Sequence, residues 1–311
     1  MKIYGYTTVA PVAGRMAGAV VFYHQICKRF VELGHDVTIQ VNPRKGVFKD
    51  VTVDGVKYRK KVAPVDPDLC ILHSASLECN PNPAHIKCPI MYILHSYASS
   101  IHRDIDNLTM KDYLFANSKN MMELVQRAKT NRRVLYPIAD KKYWEPLGGV
   151  HNSYTCIGSS VVKNLNAFYN LAIRNPKDPY IHVKGGYGHD EKKIHPMNMT
   201  IVQNTSDLRP VYQRTRVLIA PSFSETYSLV AREAGLQGIP VVCSTLPGFR
   251  ENLGDAGLYA NPHNVEAIEK QIEKLRNPIF YKERSRMIRD HCIKAEEENL
   301  ARLDRFIESL G

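Results

Sequence analysis

Two glutamates, Glu225 and Glu233, stand eight residues apart in the segment from Ala220 to Asn252. If both lay on one helix, they would be separated by about 12 Å along its axis and about 80° around it. That distance is close to the separation between the sugar and the ribose of a nucleotide diphosphate sugar. A helix in this place would therefore hold such a ligand at both ends, with the diphosphate over its N-terminus.

The elements that must position these glutamates are a strand, a loop, a helix and a second strand. The apolar run 217–220 precedes a small-residue turn at 221–224, and the helix is expected to end at Gly238, a favourable C′ residue. The run 239–242 is typical of a buried strand. This unit resembles the donor-binding half of the retaining GT-B glycosyltransferases of family 4 (glycosyltransferases group 1). The resemblance implies transfer of a hexosyl or pentosyl group from a nucleotide-diphosphate sugar, with retention at the anomeric carbon.

The length and composition are typical of a two-domain intracellular enzyme. The 311 residues suit two domains of roughly 150 residues each. No apolar stretch of about 18 residues and no signal-peptide pattern occurs, which predicts a cytoplasmic protein, peripheral at a membrane or in the host cytoplasm if it is viral. The seven cysteines are scattered and never form CxxC, so reduced thiols are expected and no metal site or bound cofactor is predicted.

The positive charge is concentrated in the first half of the chain. The net charge is +11, and residues 1–150 hold 21 Lys and Arg against 13 Asp and Glu. A basic patch is formed by Lys57, Arg59, Lys60 and Lys61. It is either an ordinary solvated surface or the place where the first domain binds an anionic acceptor.

Short apolar strands alternate with helical segments throughout both halves, which predicts an α/β fold. With the resemblance, the predicted architecture is GT-B, with two doubly wound Rossmann-like domains facing a central cleft. Residues 1–145 would form the acceptor-binding domain and 146–290 the donor-binding domain. Residues 291–311 would form a helix that packs back on the first domain, and 141–152 would be the hinge.

In the first domain, the resemblance assigns two positions to the donor. The loop Gly14–Gly18 is similar to a glycine loop that approaches the donor phosphates, with Gly14 as the contact. His95 ends an Ile-Leu-His-Ser strand, as His73 does, and matches a histidine beside the donor sugar.

In the second domain, Gly158 and Lys163 occupy the place of the family's glycine-then-lysine element, and Lys163 would neutralise the leaving diphosphate. The family commonly has an arginine directly after this glycine, whereas this chain has Ser159. Lys184, Arg232, a first-domain residue or backbone groups would then have to complete the phosphate site.

The remaining roles follow from the same resemblance. Glu225 would orient the sugar together with His95, and Glu233 would accept hydrogen bonds from the ribose hydroxyls. The base would lie near 185–188 and 202–208. Ser228 stands where glycine is common, and it is predicted to cap the helix. The backbone amides assigned to the diphosphate belong to Thr226, Tyr227, Ser228 and Leu229.

The sequence does not decide between three classes of acceptor, which are anionic molecules or carbohydrates. These are a hydroxymethylated DNA base in a phage-type enzyme, an anionic lipid at a membrane surface, and a polysaccharide. No obligate protein partner is inferred. Because Ser159 replaces the arginine, a GT-B protein that binds nucleotide sugar without transferring it, or a nucleotide-sugar epimerase, is the alternative.

Overall fold

The computed structural model describes residues 1–11, 17–43, 48–62, 66–76, 79–96, 102–140, 143–185 and 195–311. Within this part, the chain forms two compact units, one of residues 1–11, 18–138 and 301–311, the other of residues 139–300. The sequence pattern placed the domain limits at 145/146 and 290/291 instead.

The segment 141–152, interpreted as a hinge, belongs to the second unit from residue 143 onwards. The ring of Trp144 lies 5.3 Å from that of Tyr212, and the Leu147 amide donates to Gln237 Oε1 at 3.1 Å. A Cβ on Gly149 would lie 2.1 Å from the carbonyl oxygen of Gln213. These contacts fix the segment to the second unit, which explains why the boundary lies earlier than predicted.

The first unit is built on an eight-stranded sheet of order β3-β4-β2-β1-β5-β6-β7-β8, parallel except for the β3–β4 pair. Its strands are β1 Lys2–Thr7, β2 Asp36–Val41, β3 Val51–Val53, β4 Val56–Arg59, β5 Leu69–His73, β6 Ile90–Leu94, β7 Tyr113–Ala116 and β8 Asn131–Val134. Its helices are α1 Gly18–Glu32, α2 His102–Ile105 and α3 Lys119–Glu123.

Local sequence explains several of these elements. β5 and β6 are buried along their whole length, as continuous apolar runs in a parallel sheet require. Asp54 and Gly55 both have positive φ and form the tight turn of the β3–β4 hairpin. Ser118 caps α3, because its Oγ accepts from the Met121 amide at 3.2 Å.

The second unit is built on a six-stranded parallel sheet of order β11-β10-β9-β12-β13-β14. Numbered within the unit this order is 3-2-1-4-5-6, that of a Rossmann fold. Its strands are β9 Ser153–Ile157, β10 Tyr180–Val183, β11 Met199–Val202, β12 Thr215–Ala220, β13 Val241–Ser244 and β14 Leu258–Ala260. Its helices are α4 Leu165–Arg174, α5 Arg209–Tyr212, α6 Leu229–Leu236, α7 Pro247–Leu253, α8 Val265–Lys274 and α9 Pro278–Glu308. The predicted α/β class with two parallel sheets is confirmed.

Helix α6 ends as predicted. Gly238 has φ +73°, its amide donates to the Gly235 carbonyl, and the Ile239 amide donates to the Ala234 carbonyl. This pair of bonds is a Schellman motif, which glycine favours at C′. A Cβ on Gly235 would meet Cys292 Sγ at 2.3 Å, so this glycine allows close packing of α9.

The long helix α9 begins earlier than the helix predicted at 291–311, and α7 and β14 were not predicted. Pro247 and Gly248 gave the α7 segment the composition of a turn, although Pro at the first position suits a helix start. The last part of α9 belongs to the first unit, where Phe306 lies 4.9 Å and 4.7 Å from the rings of Tyr113 and Phe115.

Candidate functional site

The strand order of the second unit reverses between β9 and β12, where open α/β sheets bind ligands at the carboxyl ends of their strands. The loops after these two strands carry Lys163 and Glu225. Lys163 Nζ donates to Glu225 Oε2 at 2.6 Å, and the two side chains are 27% and 12% exposed. The structure thus brings together two of the three residues predicted to be catalytic.

The backbone around Lys163 is adapted to this position. Gly158 has φ +115°, and a Cβ there would lie 3.1 Å from Lys163 Cγ. Lys163 ends a 3₁₀ turn, Val161–Lys163, and Asn164 follows with φ +53°. The Asn164 side chain donates to the Pro262 carbonyl at 2.8 Å, which ties this loop to the loop after β14.

Glu225 does not lie on the helix that carries Glu233, so the helical spacing predicted for the two glutamates is wrong. Helix α6 begins only at Leu229, and Glu225 stands in the loop before it, where its Oε1 accepts from the Thr226 amide at 3.1 Å. The left-handed backbone of Ser228, φ +74°, separates this loop from the helix.

The prediction that Ser228 caps α6 through its side chain is also wrong. Its Oγ makes no cap hydrogen bond, since an N-cap needs extended backbone to aim the hydroxyl at the amides of the first turn. The residue is 5% exposed, and its Oγ has no hydrogen-bond partner among the described residues.

The turn at Ser228 is braced by two side chains that the sequence did not single out for this role. Asn252 Nδ2 donates to the carbonyls of Tyr227 at 2.6 Å and Ser228 at 2.8 Å. Arg232 donates to the Tyr227 hydroxyl and to the Asn252 and Cys292 carbonyls. No local pattern marks Asn252, because its partners lie more than twenty residues earlier in the chain.

Arg232 was considered as a replacement for the missing phosphate-binding arginine, and the structure contradicts this. Its side chain is buried and its hydrogen bonds go to the body of the second unit. Tyr227 is buried beside it, whereas Thr226 and Leu229 are partly buried. Lys184, the other candidate in this unit, is also partly buried.

Ser159, in the place of the family's arginine, joins two strand ends. Its Oγ accepts from the Gly185 amide at 3.1 Å and lies 3.4 Å from His182 Nε2. His182 Nε2 is in turn 3.2 Å from the Gly158 carbonyl. In the structure described, the Ser159 side chain therefore supports the loop that leads to Lys163.

Glu233 lies inside the second unit. Its Oε2 accepts from the Tyr212 hydroxyl at 3.2 Å, and burial raises its pKa from an ordinary 4.5 to about 8. A carboxyl group with this raised pKa can both donate a hydrogen bond to a hydroxyl group and accept one from it. The predicted role towards ribose hydroxyls stays a prediction.

In the first unit, His95 follows β6 and lies beside His73, with 5.4 Å between the ring centroids. Burial lowers the pKa of His95 to about 3 and that of His73 well below its ordinary value, so both rings are neutral at pH 7. The His95 amide donates to Ser74 Oγ at 2.9 Å. A neutral imidazole can orient a hydroxyl group, and the assignment of His95 to the donor sugar stays a prediction.

The basic patch divides into two kinds of residue. Lys57 pairs with Asp36 at 2.7 Å, and Arg59 donates to the Val51 carbonyl at 2.9 Å, whereas Lys60 and Lys61 are exposed. Gly14 and the glycines at 186 and 188 lie outside the described residues.

Across the described ranges, no group of three His, Cys, Asp or Glu side chains is placed to hold a metal ion. None of the seven cysteines, all of which lie in the described ranges, is joined in a disulfide bond. None of the helices in the described part is long and apolar enough to cross a membrane.

Part of the chain is similar in sequence to known glycosyltransferases. Residues 163–277 match the family model described as glycosyl transferases group 1. Over 66 residues the chain is 44% identical to O-antigen chain mannosyltransferase B of Escherichia coli, covering 21% of this chain and 17% of that protein. Over 71 residues it is 32% identical to D-inositol 3-phosphate glycosyltransferase of Corynebacterium aurimucosum, covering 22% and 17%. The matched segments thus span less than a fifth of either curated relative.

Two solved structures have the same fold over the whole chain. Sucrose-phosphate synthase from Thermosynechococcus elongatus superposes with a TM-score of 0.75 at 13% identity, covering 100% of both chains. Anabaena HepE in complex with UDP superposes with a TM-score of 0.73 at 13% identity, covering 98% of this chain and 100% of that chain. The chain therefore has the GT-B fold, and its residues 163–277 are similar to the glycosyl transferases group 1 family.

Proposed function

We propose that the chain transfers a sugar from a nucleotide-diphosphate sugar to an acceptor, with retention at the anomeric carbon and without a resident metal ion. The observation that carries the proposal is the Lys163–Glu225 pair at the switch point of a Rossmann sheet, directly before α6. Retention is proposed because the sequence around Glu225 resembles that of retaining members of the family.

Lys163 supplies the positive charge that the reaction needs. As the bond between the anomeric carbon and the diphosphate oxygen breaks, negative charge grows on that oxygen, while the acceptor oxygen bonds to the same carbon. A fixed cation near the leaving group stabilises this charge more in the transition state than in the ground state. Lys163, half-buried and held by Glu225, is proposed to take this position, and the amides from Thr226 to Leu229 are proposed to add their dipoles.

Glu225 is proposed to orient the sugar and Glu233 to hold the ribose. Glu225 is held by Lys163 and by the Thr226 amide, which fixes its carboxylate at the carboxyl edge of the sheet. Glu225→Ala should therefore slow transfer with little change in nucleotide affinity, whereas Glu233→Ala should weaken nucleotide binding.

The first test is thermal melting of the chain with UDP, GDP, ADP, dTDP and CMP. UDP is tested first because solved structures of Anabaena HepE contain UDP or UDP-glucose. A nucleotide at 100 times its dissociation constant should add about 2.7 kcal/mol of stability. The shift should disappear in Glu233→Ala and persist in Glu266→Ala, an exposed glutamate of α8. No shift with any nucleotide would contradict a nucleotide-sugar site.

The acceptor is proposed to bind the first unit, where Lys60 and Lys61 are exposed at the β3–β4 edge of the sheet. A polysaccharide, an anionic lipid and a hydroxymethylated DNA base remain the candidates. Steeply salt-dependent DNA binding would favour the DNA base, and co-sedimentation with anionic vesicles would favour the lipid. Transfer to an oligosaccharide at high salt would favour the polysaccharide.

Ser159 supports a second candidate function, because the chain lacks the family's arginine at this position. The protein would then either bind a nucleotide sugar without transferring the sugar, or epimerise the nucleotide sugar. A nucleotide sugar incubated with the chain alone would be recovered unchanged in the first case and as its epimer in the second. Release of nucleoside diphosphate only when acceptor is added would favour the transferase.

A further inference from the structure

A histidine stands inside a buried strand of the second unit. β10 is buried along its whole length, and His182 within it is 0% exposed. Strands that are buried on both faces of a parallel sheet are usually made of apolar residues. A polar ring in such a place lowers stability unless its nitrogen atoms have hydrogen-bond partners. The partners of His182 therefore indicate why a histidine stands there.

Both ring nitrogens of His182 have partners within the second unit. Nε2 lies 3.2 Å from the Gly158 carbonyl oxygen, and Nδ1 lies 3.3 Å from the Tyr169 hydroxyl. A carbonyl oxygen can only accept, so Nε2 donates to Gly158. In the neutral ring, Nδ1 then accepts from the Tyr169 hydroxyl. Each nitrogen thus has a defined role.

The Tyr169 hydroxyl is held from a second side. It lies 2.6 Å from Nδ1 of His195, a partly buried residue shortly before β11. Because the hydroxyl donates its proton to His182, its oxygen accepts from His195 Nδ1. Tyr169 is 3% exposed and lies on α4. His195, Tyr169 and His182 therefore form a hydrogen-bonded series that ends at the Gly158 carbonyl, which we call the His–Tyr–His series.

Gly158 connects the His–Tyr–His series to Lys163. A Cβ on Gly158 would lie 3.1 Å from Cγ, 3.6 Å from Cδ and 3.5 Å from Cε of Lys163, so the stem of the lysine lies along this glycine. The Gly158 amide donates to the Val183 carbonyl at 2.9 Å, and its carbonyl accepts from His182. The peptide groups on both sides of Gly158 are therefore bonded to β10. They fix the surface on which the lysine stem lies.

We infer that His182 is a positioning residue for Lys163, and that Tyr169 keeps the His182 ring in the tautomer and orientation that this role requires. The inference rests on the proposed function, in which Lys163 stabilises charge on the leaving diphosphate. His182 acts through the Gly158 peptide group. Misplacement of a catalytic group by about 1 Å can lower a rate about 10²-fold, which explains why a buried polar ring is retained under this loop.

Three variants test the series. His182→Leu introduces the kind of residue that a buried strand favours and removes the donor to Gly158. His182→Gln keeps a side-chain N–H group near the position of Nε2 and should restore the function. Tyr169→Phe removes only the hydroxyl that bonds His182 Nδ1. The matched control is Tyr180→Phe, which removes a buried hydroxyl of the same strand, whose partner is the Leu171 carbonyl at 3.3 Å.

Titration calorimetry with UDP, GDP, ADP and dTDP on the full chain measures the placement of Lys163. A free diphosphate carries the charge that the leaving group has once its bond is broken, so its affinity depends on the lysine. The diphosphate that binds the wild type should bind Lys163→Met about tenfold more weakly, as expected for a lost bond to a charged group.

The same diphosphate should bind His182→Leu and Tyr169→Phe about fivefold more weakly than the wild type. His182→Gln and Tyr180→Phe should bind it within about twofold of the wild type. When Lys163→Met is already present, His182→Leu and Tyr169→Phe should change the affinity by less than about twofold, because the group that they position is gone. A purely structural role would not produce this dependence on Lys163.

Two results would overturn the inference and leave the proposed function standing. One is wild-type affinity in both His182→Leu and Tyr169→Phe. The other is an equal loss of affinity with and without Lys163→Met, which would show that the series acts on the fold of the unit. If His182→Leu did not fold, Tyr169→Phe, which lacks one oxygen atom, would decide. If the wild type bound none of the four diphosphates, the proposed function would fail together with the inference.

Discussion

Lys163 Nζ lies 2.6 Å from Glu225 Oε2, although the two residues are 62 positions apart in the chain. Both follow strands at the point where the order of the second sheet reverses. The lysine is held beside a carboxylate and close to the start of α6, where the proposed function puts the diphosphate. The proposed function gives the Glu225 carboxylate the task of orienting the sugar.

Replacement of Lys163 should remove the charge that stabilises the leaving group. Lys163→Met keeps much of the side-chain length, and we expect the transfer rate constant to fall about 10²- to 10³-fold, as for loss of one group that stabilises transition-state charge. Steady-state kinetics with the donor identified by melting would measure it. Lys177→Met, at an exposed lysine of the same unit, is the control and should keep its activity. Equal rates in the two variants would contradict the role of Lys163.

The buried carboxyl of Glu233 should make stability depend on pH. Its pKa is raised from 4.5 to about 8 in the folded chain, so the folded state holds a proton that the unfolded state releases over this interval. The contribution of Glu233 to the free energy of unfolding should therefore be complete below about pH 4.5 and decrease as pH rises to about 8.

Urea unfolding of the wild type and Glu233→Gln at pH 5 and pH 8 measures this contribution. A difference of one unit between the folded and unfolded pKa is worth about 1.4 kcal/mol. We expect the difference in unfolding free energy between the two proteins to change by at least this amount between pH 5 and pH 8. Parallel pH profiles would show that the Glu233 carboxyl is not protonated in the folded state.

Asn252 should be important for stability because it satisfies two buried carbonyls. Asn252→Ala leaves the Tyr227 and Ser228 oxygens without this donor, and we expect a loss of about 2–4 kcal/mol in the free energy of unfolding. Asn264→Ala removes the exposed cap of α8 and should cost only about 1 kcal/mol. Chemical denaturation would measure both, and equal losses would show that the brace is weak.

The end of α9 should stabilise the first unit through Phe306. This side chain is fully buried against Tyr113 and Phe115, and Phe306→Ala should lower the free energy of unfolding by about 3–5 kcal/mol. Ile279, on the same helix, is 79% exposed, and Ile279→Ala should change it by less than about 0.5 kcal/mol. Similar melting temperatures for the two variants would contradict the packing of this helix end.

Local patterns predicted most strands of the two sheets, although not β14. β5 and β6 were recognised from continuous apolar runs, because a strand buried on both faces needs apolar residues throughout. The ends of the helices were less predictable, as α9 shows. The first part of this helix belongs to the second unit and its last part to the first unit, so the pattern of charged and apolar residues differs between the two parts. Burial of α7 likewise depended on partners that are distant in sequence.

The amino-acid sequence by itself determined the chemical groups of the site, namely two glutamates, a lysine after a glycine and a serine in the place of a glycine. Residue type and short-range spacing are sufficient for this, because they set local conformation and charge. Only the tertiary structure decided that Lys163 meets Glu225, that Arg232 is buried and bonded to the Asn252 and Cys292 carbonyls, and that Ser228 has positive φ with no hydrogen-bond partner for its hydroxyl among the described residues. These relationships depend on strand order and on the packing of α6, α7 and α9, which distant residues establish together.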